Sequence, residues 1–438
     1  MFKTFKNIAF ISVASLLISG CGNNPNRGIK ITFDAAEGEF SDGSHTKTVY
    51  VRMYGKLKAP ETPVRTGYTC SNKWYRGEQE WDFSRYCFSE SMTLTTDWSI
   101  NSYTLSVTSD DTSKGTVSGS GTYTYDSPVT VTATPVEHHA FLGWYNESNK
   151  VSSDATYTFN MPANDYSLEA KFKLDTVVYG LYPQTHVSDE TLISALDSLT
   201  TSSANENGYY SYNENLYYPY VANPDDSSFT FEDGVSIVSG NKYWFKVEPI
   251  EWKILNEEEG FVTSTRILDM HLFNERYKGT PTKTDYQGNT GEAYANNYKY
   301  SDVRSWLNTD FYNAAFSNDD TRIKTTEVDN AASTTAHPIN DYVCENTNDK
   351  IFLLSYKELL DSSLGFSAHK YRQCKPTDFA LARGTRFDVS YDAGVYFTRS
   401  PDNSDSGLIY SVFRAGSVSY NTVNDNAGIR PAMKLNIL

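Results

Sequence analysis

The sequence predicts a multidomain chain in which two small, mostly-β modules precede a larger α+β domain. Three observations carry this prediction. The chain has 438 residues, more than one hydrophobic core ordinarily serves. Up to about residue 173 the apolar residues alternate with polar ones in short, turn-bounded runs, the period of half-buried strands. From residue 188 onward, apolar residues recur at helical spacing for the first time, between strands.

The amino-terminal stretch comes first. Lys3 and Lys6 precede an uncharged apolar run from Ile8 to Ile18, followed by Ser19-Gly20-Cys21. At about eleven residues the run is roughly half of what a membrane-crossing helix needs, so it reads as a cleaved leader. The alternative is an uncleaved anchor with an incidental cysteine. Ile18-Ser19-Gly20-Cys21 resembles the lipobox of bacterial lipoproteins. That resemblance implies a signal peptide over residues 1–20, lipidation at Cys21, a polar linker over 21–28, and a chain tethered to the cell membrane by lipid and facing the exterior.

Composition narrows the partners. Asp and Glu number 54 against 38 Lys and Arg, for a formal charge of −16. This argues against nucleic acid, whose phosphates need clustered cations. Four further cysteines, Cys70, Cys87, Cys344 and Cys374, form an even set. In an exported protein that invites disulfides, and Cys70 with Cys87 and Cys344 with Cys374 is the simplest of the three pairings. Four free buried thiols are the alternative.

The first module spans residues 29–98. Val49, Val51 and Met53 alternate with Thr48, Tyr50, Arg52 and Tyr54, and Met92, Leu94, Thr96 and Trp98 repeat the pattern. Pro60, Pro63 and Gly67 leave little room for a long helix. Ile31-Thr32-Phe33-Asp34, Gly55-Lys56, Ala59-Pro60, Gly67-Tyr68-Thr69, Trp74-Tyr75, Trp81-Asp82-Phe83 and Met92-Thr93-Leu94 resemble the internalin-type B-repeat, which implies a small β-grasp module. Cys70 stands where that family prefers an aromatic, and a bond to Cys87 would replace the missing packing.

The second module spans residues 102–173. Tyr103, Leu105 and Val107 alternate with Thr and Ser, and later strands carry Val129, Val131 and Ala133, then Tyr157 and Phe159, then Leu168, Ala170 and Phe172. Gly143-Trp144-Tyr145 and the turn Met161-Pro162-Ala163-Asn164-Asp165 resemble the divergent form of the same repeat, so the two modules read as a weak internal repeat. Trp74 and Trp144 lie in alternating strands, and the expectation for both is core packing rather than ligand stacking.

Residues 175–438 make the third domain. Ser188 is placed to cap a helix bearing Leu192, Ile193, Leu196 and Leu199, and Ser301 one bearing Val303, Trp306, Leu307 and Phe311. Ser355-Tyr356-Lys357-Glu358 is a capping box. Between them Ile250, Trp252 and Ile254 alternate, and Ile351-Phe352-Leu353-Leu354 reads as a fully buried strand. Pro249 through Leu255, Ser301 through Asn308, Asp349 through Ser355, Thr398-Arg399-Ser400-Pro401 and Gly428-Ile429-Arg430-Pro431-Ala432 resemble a domain of unknown function that ends many bacterial surface proteins. That domain is similar in turn to the C-type-lectin-like fold of formylglycine-generating enzymes. No activity comes with it.

Candidate chemistry is sparse. No G-x-S-x-G elbow, H-E-x-x-H pair or P-loop is present, and no catalytic residue, metal ligand or cofactor is assigned. The copper cysteines of formylglycine-generating enzymes bring Cys344 and Cys374 into view, but neither sits in a matching motif. Asp402, Ser404 and Ser406 before Gly407 open like a calcium loop, yet Phe413 occupies the closing position, and a polar hairpin loop explains the stretch. Arg399 and Arg430 lie in apolar, strand-like contexts. They would either grip an anionic ligand with planar forks or pair structurally with internal carboxylates. Tyr217, Tyr218 and Tyr220 would either offer flat aromatic surface to a partner or glycan, or pack back on the domain. The expected function is adhesion or ligand binding by the last domain, to a host or envelope glycan or protein, with the repeats as spacer. A surface hydrolase, a copper-dependent oxidase and a purely structural envelope protein are the alternatives.

Overall fold

The computed structural model describes residues 28–200, 203–275, 282–284, 287–288, 290–316 and 321–437. Cys21 and the leader lie outside them. The chain is mostly β and divides into two compact units, one running to Thr134 and resuming over Phe141–Lys171, the other comprising Pro135–Ala140 and Phe172–Leu438. Among the described residues no helix is long and apolar enough to cross a membrane.

The first repeat and most of the second lie in the first unit, and both are built on one plan. In the first repeat, Ile29–Asp34 runs parallel to Met92–Ile100, placing Ile31 beside Met92 and Phe33 beside Leu94. Ile31, Phe33 and Leu94 point into a core closed by Trp74 and Phe88. In the second, Ser102–Ser109 runs parallel to Tyr166–Leu174 in the same way. The tryptophan strand neighbours the closing strand in both sheets: Tyr68–Arg76 carries Trp74, and His139–Asn146 carries Trp144. Trp74 meets Phe33 edge-on at 5.0 Å and stacks on Phe40 at 6.3 Å, while Trp144 is fully buried against Phe141. Both are core residues, as their alternation predicts. Gly143 before Trp144 has φ of 153°, and a Cβ there would stand 2.8 Å from the Ser152 carbonyl oxygen. Only glycine suits that backbone at the bulge between Trp144 and Tyr145.

One expected strand face is not buried. Thr46–Val51 is the outermost strand of its sheet, and Val49 and Met53 face solvent with Tyr50 and Tyr54. Alternation reports two faces, but at this edge only Val51 of the apolar face packs against the core.

The second unit packs two sheets around one core. In the larger sheet Lys242–Asn256 pairs with Thr176–His186, Asn215–Val221 and Phe261–Ser264, and Pro431–Leu435 joins Phe261–Ser264 to Ile351–Leu353. Ile250, Trp252 and Ile254 alternate inward, and Ile351 through Leu354 are all buried, as expected. The smaller sheet orders Asp269–Met270, Gly428–Ile429, Tyr396–Pro401, Leu408–Val412 and Val418–Thr422. Helix Glu190–Asp197 is capped by Asp189 rather than Ser188, because the longer carboxylate reaches the amides of Thr191 and Leu192 at 2.8 and 3.0 Å. Ser301 caps Asp302–Trp306 through the amide of Arg304. The capping box forms with both of its bonds, at 2.7 and 3.1 Å, over a single 3₁₀ turn instead of an α-helix.

One polar cluster is embedded in this apolar interior. Arg304 and Asp349 are both fully buried, and Nε donates to the carboxylate at 2.9 and 3.1 Å. Thr347 donates to the same carboxylate at 2.7 Å, and Nη1 of Arg304 to the Lys299 carbonyl at 2.7 Å. Asn308, one turn on, accepts from the amides of Lys350 and Ile351 and donates to the Ile351 carbonyl. Helix and strand are thereby locked in one register.

The expected disulfides are not formed: Cys70, Cys87, Cys344 and Cys374 are free thiols. Cys70 is buried on its strand, 3.2 Å from the Thr96 hydroxyl, whereas Cys87 is exposed. Cys374 donates to the Thr265 carbonyl at 3.4 Å, and Cys344 is held elsewhere, beside the backbone of Tyr298 and Lys299. Nearness in sequence brought neither pair to bonding distance.

Two outcomes follow from this packing. Arg304→Ala, which removes the guanidinium that balances the buried charge of Asp349, will destabilise the second unit by about 3–5 kcal/mol in urea unfolding. Native alkylation followed by mass spectrometry will label Cys87 first, with Cys70 and Cys374 protected until denaturant is added.

Candidate functional site

The tyrosine-rich strand Asn215–Val221 divides its side chains between two environments. Tyr217 is buried on one face with Leu196, Val187 and Trp244, in the small cluster under helix Glu190–Asp197. It is a packing residue, not a presented one. Tyr218 and Tyr220 share the other face, and both meet Phe379 edge-on, at 5.7 and 5.6 Å. Tyr218 then lines an open cleft of about 400 Å³, within the size range of small-molecule sites.

The floor of the cleft is a charged relay. Asp269, from the first strand of the smaller sheet, accepts from the Tyr182 hydroxyl at 2.6 Å and from Nε of Arg383 at 2.8 Å. Arg383 ends helix Asp378–Arg383, and its Nη1 donates to the Tyr220 hydroxyl at 3.2 Å. Burial, then the negative charge and hydrogen bond of Asp269, push the Tyr182 phenol well above its ordinary value. Asp269 also holds Arg383 more firmly protonated than usual. The relay therefore keeps its protons, and both oxygens of Asp269 are occupied by donors.

The walls are aromatic. Tyr209 crosses Tyr218 at 86° and donates to the Ala314 carbonyl at 3.1 Å, and burial raises its phenol as well. Trp306 lines the cleft from helix Asp302–Trp306, with His271 stacked on it at 5.0 Å and Phe311 tilted against it at 5.4 Å. Asn207, Asn313, Glu206 and Asp310 bring amides and carboxylates to the rim. Ring faces beside fixed hydrogen-bonding groups suit a ligand that is apolar on its faces and hydroxylated at its edges, as sugars are.

The two arginines singled out from the sequence lie away from this cleft and differ from each other. Arg399 grips Glu358 with two bonds, at 2.6 and 2.9 Å, and donates to the Leu353 carbonyl at 2.7 Å. It is a structural arginine. Arg430 is equally buried, but its partners are the Ser264 carbonyl at 3.0 Å and the Tyr396 hydroxyl at 3.1 Å, neither of them charged. Burial pushes Cys344 up to about 11 and raises Cys374 too, away from the thiolate form that metal binding requires. In the 402–407 loop the Asp402 carboxylate accepts from the Ser404 amide at 2.8 Å, and the Asp405 carboxylate from the Gly407 amide at 2.8 Å, which is the bonding of a hairpin turn. Among the described residues no group of three or more His, Cys, Asp or Glu is placed to hold a metal ion.

Comparison with known proteins places two segments. Residues 103–176 match the family described as Divergent InlB B-repeat domain, and residues 262–437 match Domain of unknown function (DUF6273). Two similar proteins come from Evansella cellulosilytica. One is named "Putative membrane protein", at 31% identity over 25% of this chain and 17% of its own length. The other is named "Putative Gly-rich membrane protein", at 29% identity over 30% of this chain and 16% of its own length. The chain thus spans about a sixth of each.

The Arg399–Glu358 pair sets an acid limit. Burial raises the Glu358 carboxyl, but the Arg399 guanidinium and the Ser355 amide and hydroxyl outweigh it and hold the group below its ordinary value. A depressed carboxyl contributes stability above the unfolded value of about 4.3, and loses it as pH falls through the lower folded value. Glu358→Gln will therefore be less stable than the parent chain at pH 7, and the difference in urea midpoint will shrink as pH is lowered towards 3.

Proposed function

We propose that this is a membrane-associated surface protein whose second unit binds a neutral glycan in the cleft between Tyr218 and Trp306. The observation that carries the reading is the Tyr182–Asp269–Arg383 relay beneath aromatic walls, a rigid polar floor that needs no rearrangement to accept hydroxyl groups. Asp269 is read as a structural acceptor rather than an acid or base, because both of its oxygens are engaged by donors. The internalin-type repeats act as spacer, and the lipidated Cys21 implied by the leader supplies the tether. Membrane attachment is supported by the names of the two relatives. A C-type-lectin-like arrangement of the binding domain is supported by its early strand Thr176–His186 and its last strand Pro431–Leu435 ending in one sheet.

A glycan array probed with the purified chain tests this. Saturable binding to a subset of neutral glycans is expected, weakened at least tenfold by Trp306→Ala or Tyr218→Ala, the order expected for losing an aromatic contact. A blank array, or binding unchanged in both variants, would falsify the assignment.

A further inference from the structure

Arg430 lines a second cavity of the C-terminal unit, of about 410 Å³, separate from the aromatic cleft. The residue is only 6% exposed. Its Nε and Nη1 are used by the Ser264 carbonyl and the Tyr396 hydroxyl, and no acceptor among the described residues stands against Nη2. The faces of Tyr396 and Phe366 lie 5.4 and 5.8 Å from the guanidinium carbon.

The other buried arginines are matched in two ways, by a carboxylate or by a set of three carbonyls. Arg304 has Asp349, Arg399 has Glu358, and Arg372 is wrapped by the carbonyls of Gly416, Leu359 and Phe366. Arg430 has one carbonyl, one hydroxyl and no carboxylate. A guanidinium stays charged at every physiological pH, and a buried charge without a counter-ion costs several kcal/mol. Lys253 at the rim is held by Asp175 and Lys173 is exposed to solvent, so the buried cation of the cavity is Arg430. Ser362 and Tyr371 bring hydroxyls to the same wall and both are exposed, and Phe366 supplies an apolar face.

We propose that this cavity binds a sugar acid, its carboxylate seated on Nη2 of Arg430 and its hydroxyl-bearing ring between Phe366, Ser362 and Tyr371. The planar guanidinium matches a planar carboxylate, the hydroxyls match the ring substituents, and the volume suits one monosaccharide. The site is independent of the neutral-glycan cleft.

Titration calorimetry of the full chain with D-glucuronate, D-glucose and inorganic phosphate tests the assignment. Glucuronate is expected to bind at least tenfold more tightly than glucose and than phosphate. The double variant Ser362→Ala/Tyr371→Ala, altered only at exposed positions, will weaken glucuronate at least fivefold. Arg430→Lys, checked for folding by circular dichroism, will weaken it at least tenfold. Trp306→Ala will leave glucuronate binding unchanged, which separates this site from the cleft. Equal affinity for glucose, equal affinity for phosphate, or full retention in the exposed double variant each overturns the proposal.

Discussion

The second unit depends on a single desolvated ion pair. Arg304 and Asp349 are wholly removed from water, so their charges attract strongly, and each would be costly without the other. That cost makes the pairing specific: no other register of helix Asp302–Trp306 against strand Thr347–Asp349 brings the two groups together. Asn308 extends the lock by one turn, meeting the backbone of Lys350 and Ile351 much as a neighbouring strand would. The consequence for the cleft is direct. Trp306 and Asp310 are carried by the same helical segment, so the wall they form is as rigid as the buried pair behind it.

What the sequence made legible was periodicity and capping. Ile250, Trp252 and Ile254 alternate and are buried, and Ser301 and the Ser355–Glu358 box sit where their hydroxyls can reach orphan amides. Periodicity also sorts Tyr217 from Tyr218 and Tyr220, since neighbours on a strand face opposite ways, but it cannot say which face meets a cleft. The relay was illegible for another reason. Tyr182, Asp269 and Arg383 come from three distant segments, none with a motif, and only the sheet topology makes them neighbours. The cysteines misled because an even count in an exported chain is a statement about compartment, while bonding needs approach of the two sulfurs.

The repeat shows the opposite balance. The two modules share few residues, yet each runs its first strand parallel to its last and sets a tryptophan strand beside the closing one. A parallel pair needs a crossover between its strands, and in a module this small the crossover must itself be covered. One large aromatic does that in each case, so the tryptophan persists while its neighbours change. Gly143 has no counterpart in the first module, where Lys73 precedes Trp74, and it serves the bulge between Trp144 and Tyr145.

Charge bears on the ligand proposed for each cavity. With a formal charge of −16 its long-range field repels anions, and at physiological salt that field fades over about 8 Å. Recognition must therefore happen at contact. In the aromatic cleft the cation Arg383 is already matched by Asp269, so the floor presents polarity without net charge, the property on which the proposed neutral-glycan reading rests. At Arg430 the balance is reversed, because the cation is buried and its described partners are neutral. The two cavities thus differ in charge as well as in lining: carboxylates accompany the arginine of the first, while lysines stand beside the arginine of the second.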